Sequence, residues 1–121
     1  MNDDHGFILA REQGITLGEI GHRIFFENDL TRVWEVRLEP GETLGFHIHR
    51  HPYLVVSLEG GANRIETIFG QTIDVDEPSG HTVFINEKRA IHRLTNTSGV
   101  LYLSRLVEFK SEIWIYDGES N

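Results

Sequence analysis

The sequence contains no cysteine, which excludes disulfides, thiolate metal ligands and cysteine nucleophiles together. Any metal or acid-base chemistry therefore falls to histidines and carboxylates. Cations are scarce as well: 11 Lys and Arg stand against 19 Asp and Glu, a formal net charge of -8. Binding a phosphate backbone needs a concentration of positive charge, so a nucleic-acid partner is not expected. No apolar run approaches the length that crosses a bilayer, and the start "MNDDHGFILAREQG" lacks the cationic head and apolar stretch of a secretory signal. No membrane association is expected, and the expected location is cytoplasmic. Helical periodicity is also missing, since no window keeps a 3.6-residue repeat beyond two turns. With 121 residues the chain can bury one core and is too short for two lobes, so 1–121 is expected to form a single domain.

What the sequence does contain is a succession of short runs rich in β-branched and aromatic residues. They are "HRIFFEN" (22–28), "TRVWEVRL" (31–38), "YLVVSLE" (53–59), "NRIETIF" (63–69), "HTVFI" (81–85), "AIHRLTN" (90–96) and "VLYLSRLVEF" (100–109). Turn signals separate them. Among these, "EGGA" (59–62) carries the glycine pair of a tight hairpin, and Pro40 with Gly41 sets another turn. Short strands at regular spacing predict an antiparallel sandwich or barrel, with its core over about 22–109 and less patterned arms at 1–21 and 110–121. In the C-terminal arm, "EIWIYDG" (112–118) alternates as a strand does. Phe46, Val55, Phe84 and Leu94 are expected in the core.

Three of the seven histidines, His47, His49 and His51, fall in one five-residue window. On a strand, His47 and His49 would share a face roughly 6.5 Å apart, close enough for both imidazoles to reach one ion. In a barrel that face would be the lumen, where small-molecule sites in such folds usually lie. His92, on another expected strand, could approach from across the barrel. Three neutral imidazoles without a thiolate suit a divalent transition metal such as Fe, Ni, Mn, Cu or Zn. Histidines so spaced can equally be solvated surface residues. His51 falls in the turn "RHP" and is expected to point outward, and His5, His22 and His81 are isolated.

The stretch "PGETLGFHIHRHPYLVVSLEGG" (40–61) resembles the first motif of the cupins, in which a glycine precedes HxH, a glutamate follows, and a second glycine closes the motif. Gly41, His47, His49 and Gly60 occupy the matching positions. "GHTVFINEKRAIHRLTN" (80–96) resembles the second motif through Gly80, His92 and Asn96. Here Asn86, Glu87 and Lys88 replace the usual Pro-x-Gly turn, and the stretch to His92 is one residue longer. "HRHPYLVVSLEGG", with the later "IHRLTN" and "RLVEFK", is similar to the short single-domain bacterial cupins associated with β-alanine degradation. The resemblance implies an all-β fold, a double-stranded β-helix or jelly-roll barrel, in a homodimer.

It also implies His47, His49 and His92 as metal ligands. Where the family has its metal-binding glutamate, this chain has Tyr53. A phenol, with an ordinary pKa near 10, is a poor ligand, so Tyr53 is expected to serve as a hydrogen-bond donor or general acid beside the metal. Three-histidine centres occur among cupin-like dioxygenases. The expected function is metal-dependent chemistry on a small organic acid or diketone-like molecule, dioxygenase-like; the alternatives are a non-catalytic small-molecule-binding cupin and a metal-dependent isomerase or lyase.

Charged residues on apolar strands leave a second question open. If Arg37, Arg64 or Arg105 faced the lumen, it could hold a substrate carboxylate bidentately. The alternation of Trp34, Val36 and Leu38 with Glu35 and Arg37 favours outward arginines. Ser57 shares a face with Tyr53 and Val55 but has no base beside it in the sequence, so nucleophilic catalysis has little support.

Overall fold

The computed structural model describes residues 5–116. One short helix, α1 (Phe7–Glu12), precedes nine strands: β1 (Arg23–Glu27), β2 (Thr31–Leu38), β3 (Thr43–His47), β4 (Tyr53–Glu59), β5 (Ala62–Thr67), β6 (Thr72–Asp76), β7 (Thr82–Ile85), β8 (His92–Asn96) and β9 (Tyr102–Phe109). They form two sheets, in the orders β1-β2-β9-β4-β7 and β3-β8-β5-β6. All pairings are antiparallel. Consecutive strands often lie in opposite sheets, which is the winding of a jelly roll.

Period-2 patterning selects the inward faces. On β2, Trp34, Val36 and Leu38 are buried; on β9, Tyr102, Ser104, Leu106 and Glu108 are buried. Arg37 therefore points out, where it pairs with Glu39 at 3.0 Å. Arg64 pairs with Asp74 at 2.8 Å, and Arg105 lies 4.3 Å over the Phe25 ring, so neither enters the lumen. Phe84 corrects an expectation. On β7 the alternation turns Val83 and Ile85 partly inward and leaves Phe84 54 % exposed, edge-on to Phe109. Phe46, Val55 and Leu94 are half-buried against the core.

The glycine pair of "EGGA" does not close a hairpin, because β4 and β5 belong to different sheets. Its glycines serve close approach. A Cβ at Gly60 would strike the Glu77 carbonyl oxygen and the Tyr102 ring, and one at Gly61 would press on Ser98 at 3.2 Å.

Two strands escaped the sequence patterning. β3 contains Gly45, and β6 carries two aspartates on a largely exposed edge, both against strand propensity. The N-terminal arm is likewise more ordered than its weak pattern suggests. Phe7 and Ala10 of α1 join Ile68, Ile91, Trp114 and Tyr116 in one core cluster, and the His5 carbonyl accepts from the Ile91 amide at 3.0 Å. The segment 112–116 is not a strand, although Trp114 and Tyr116 are buried while Ile113 and Ile115 are exposed; residues 117–118 lie outside the described residues. No helix among the described residues is long and apolar enough to cross a membrane.

Candidate metal centre

His47 closes β3 and His92 opens β8, and the two are direct partners in the β3–β8 register, so His92 comes from the neighbouring strand of the same sheet and not from across the barrel as expected. Their rings lie 4.6 Å apart. The backbone leaves the ladder after His47, yet His49 still turns inward, its ring 5.1 Å from each of the others. The chain there is pinned by the Tyr116 hydroxyl, which donates to the His49 carbonyl at 2.6 Å. One ring nitrogen from each of the three histidines falls within 4.8 Å of the others, so that small side-chain shifts would bring all three to the roughly 2.1 Å of metal–imidazole bonds.

Hydrogen bonding and burial prepare these rings as ligands. His47 Nδ1 donates to the Gly45 carbonyl at 2.7 Å and His92 Nδ1 to the Ala90 carbonyl at 2.8 Å. A carbonyl only accepts, so both rings hold their proton on Nδ1 and present the Nε2 lone pair. Burial pushes the His47 pKa down to about 3, helped by His92 and opposed by the Gly45 carbonyl. His49 falls well below its ordinary value for the same reason, with further lowering from His47, His92 and Arg89. His92 is also lowered by burial, against the pull of the Ala90 carbonyl. Near neutral pH all three are uncharged, the form that binds metal. His49 Nδ1 is buried with no protein partner. A neutral, convergent imidazole set with an orphan ring nitrogen fits a transition-metal ion.

Tyr53 opens β4 and stacks on His49, with centroids 3.9 Å apart and planes 13° from parallel. It is buried, and burial raises its pKa above the ordinary value of 10.0. The phenol is thus neutral and held against the His49 ring. His51 turns away: its Nδ1 meets the Glu112 carbonyl at 2.7 Å, and it lines a surface groove with Arg50.

A cavity of about 120 Å³ opens from the histidines into the barrel and is mostly apolar, with Val55, Leu94 and Leu106 among its walls. Glu77, Tyr102 and Ser104 also line it. None of the three was legible as a lumen residue, since Glu77 sits in the turn-like "DEPSG" and the other two look like ordinary β9 positions. Arg89 was hidden similarly in "NEKRA". Its exposed side chain is close enough for its positive charge to act on His49, His92 and Tyr53.

A two-sheet jelly roll with inward histidines gathered at two neighbouring strands of one sheet is the architecture of the cupins, and the chain has that fold. It is similar to a cupin domain from Bordetella pertussis, with 23 % identity and a TM-score of 0.66 over 79 % of this chain and 100 % of the other. A protein with a double-stranded β-helix domain from Klebsiella pneumoniae shares 14 % identity, with a TM-score of 0.58 over 86 % and 93 %. A cupin 2 conserved barrel domain protein from Salinispora arenicola shares 14 % identity, with a TM-score of 0.56 over 77 % and 73 %. No protein-family model matches the sequence, and no curated protein matches it.

Proposed function

We propose that this cupin holds a divalent transition metal through His47, His49 and His92 and uses it on a small organic acid or diketone-like molecule, in a dioxygenase-like reaction. The convergence of three neutral ring nitrogens within 4.8 Å at the head of an internal cavity carries the proposal. With a neutral ligand set, a bound ion keeps its full positive charge and supplies Lewis acidity or oxygen activation. The protein's own residues do the rest. The Gly45 and Ala90 carbonyls fix two rings in their metal-binding tautomer. Tyr53, stacked on His49, is placed to hold or deliver a proton at its hydroxyl. The apolar walls exclude water.

Oxygen uptake by iron-loaded protein, measured with a panel of small hydroxy acids and β-diketones, tests the proposal. Uptake that needs both metal and organic substrate, and is lost in His47→Ala, supports it. Turnover without oxygen assigns an isomerase or lyase instead. A protein whose melting temperature ignores added metal is a non-catalytic binder.

We also propose a homodimer. The edge strand β1 exposes Ile24, Phe25 and Phe26, and the C-terminal segment exposes Ile113 and Ile115. Uncovered edges and apolar patches of this kind invite pairing.

A further inference from the structure

The lumen has a second polar pole. On β4, Tyr53 stands beside the histidines and Ser57 lies four residues further along; on β8, His92 and Asn96 have the same separation. Four residues of strand are about 13 Å, so both sheets place a second polar level at about the same depth. Between the levels lie Val55, Leu94 and Leu106, all lining the cavity. At the far level Ser57 pairs with Ser104 across β4 and β9, and Asn63 pairs with Asn96 across β5 and β8. Glu77, whose backbone is held by the Gly61 carbonyl at 2.8 Å, sends its carboxyl to the Asn63 amide at 2.8 Å. Tyr102 reaches the same level from β9.

This level is buried and under-satisfied. Ser57, Ser104 and Asn63 are at most 1 % exposed, yet the Asn63 carbonyl oxygen lacks a hydrogen-bond partner, and the two serine hydroxyls make no close hydrogen bond and face only the Tyr102 hydroxyl, which interacts with both. Buried polar atoms are rarely left so unless a water or ligand completes them. One Asn63 N–H is given to Glu77; the Asn63 oxygen and the Glu77 carboxylate can only accept, while the Ser and Tyr102 hydroxyls can turn either way, so the acceptors fixed at this level favour a donor.

We propose that Ser104, Glu77 and Tyr102, backed by Ser57 and Asn63, form the distal half of the ligand site and accept hydrogen bonds from a donor group, a hydroxyl or amine, at the far end of the substrate. This rests on the metal-site reading for the near end, where a carboxylate or enolate oxygen would meet the ion. The ligand is then a short ω-hydroxy or ω-amino acid; a dicarboxylate is disfavoured by the acceptor-rich floor. A cavity of about 120 Å³ is slightly smaller than the 150 Å³ cavity known to take benzene, so the part of a ligand that it encloses is limited to about six heavy atoms.

The probes are 3-hydroxypropionate, 4-hydroxybutyrate and 5-hydroxyvalerate, each against its unsubstituted acid and the dicarboxylate of equal carbon number. Binding to zinc-loaded protein is read by calorimetry, and metal affinity is read separately by chelator competition. At one chain length or more, the hydroxy acid is expected to bind at least tenfold more tightly than either analogue. Ser104→Ala and Glu77→Gln are expected to erase that preference while leaving metal affinity unchanged. Ser104→Ala removes a hydroxyl that makes no close hydrogen bond, so its melting temperature without ligand should hold or rise. A lower melting temperature with selectivity intact would mean a floor built for a structural water and would overturn the proposal. So would equal binding of hydroxy and unsubstituted acids by protein shown to hold zinc. Loss of zinc binding in the parent protein would instead indict the metal site, and hydroxy-acid selectivity persisting without metal would still support the floor.

Discussion

Lowering the pH from 7.5 to 5.0 should destabilise the metal-free protein far more than its exposed charges account for. His47 has an ordinary pKa of 6.5 that burial depresses to about 3 in the fold. Between those values the unfolded chain takes up a proton and the folded chain does not, so the stabilisation is complete above pH 6.5 and is lost as the pH falls toward 3. Each pH unit in that window costs about 1.36 kcal/mol per group. At pH 5.0, 1.5 units below 6.5, His47 alone should cost about 2 kcal/mol. His49 and His92, depressed in the same direction, add to it. Carboxylates do not confuse the window. Glu27, lowered chiefly by its hydrogen bond from Lys110, and Asp74, lowered chiefly by Arg64, lose their contributions only below their ordinary values of 4.5 and 3.8. Urea unfolding of chelator-stripped protein at pH 7.5, 6.5, 5.5 and 5.0 measures the loss. His47→Gln, neutral throughout, should recover about 2 kcal/mol of it at pH 5.0. Stability that stays flat over the window, or an unchanged pH response in His47→Gln, would refute the idea that buried neutral imidazoles form the site.

Tyr53→Phe should leave metal occupancy nearly unchanged and lower turnover, whereas Tyr53→Glu should tighten metal binding by adding an anionic ligand and abolish activity; chelator competition and steady-state assays separate the two. If Tyr53→Phe loses metal as fully as His47→Ala, the phenol is a ligand. Gly60→Ala should cost about 1–3 kcal/mol, because its methyl must displace the Glu77 carbonyl and Tyr102; a melting temperature equal to the parent's would show that the crossover yields freely. Light scattering at micromolar concentration should show a dimer, and Phe26→Asp on exposed β1 should shift it toward monomer, while a parent protein that is a soluble monomer would remove the interface argument.

The histidines were legible because their crowding in the sequence carries chemistry, and His92 stood out on its own expected strand before the resemblance added support; strand alternation explains His47 but not His49, which turns inward after the chain has left β3. The outward arginines followed from the neighbouring Trp34, Val36 and Leu38, whose burial fixes the opposite face. Phe84 misled because a short apolar run gives no sign of which parity faces the core, and only Tyr53, Leu54, Val55 and Val56 pairing with β7 decides it. The "EGGA" glycines misled for a related reason. Local turn chemistry cannot distinguish a hairpin from a crossing between sheets, and the need for bare backbone at Gly60 comes from Glu77 and Tyr102, distant in sequence. The polar floor was invisible because each member is unremarkable alone and becomes a cluster only through the β4–β9 and β5–β8 registers.

Metal content by elemental analysis of the purified parent, His47→Ala, His92→Ala and His51→Ala proteins tests the three-histidine centre most directly. The parent and His51→Ala should each carry a single bound transition-metal ion per chain, and His47→Ala and His92→Ala should lose most of it. Retention of the ion in His92→Ala together with its loss in His51→Ala would contradict the ligand set.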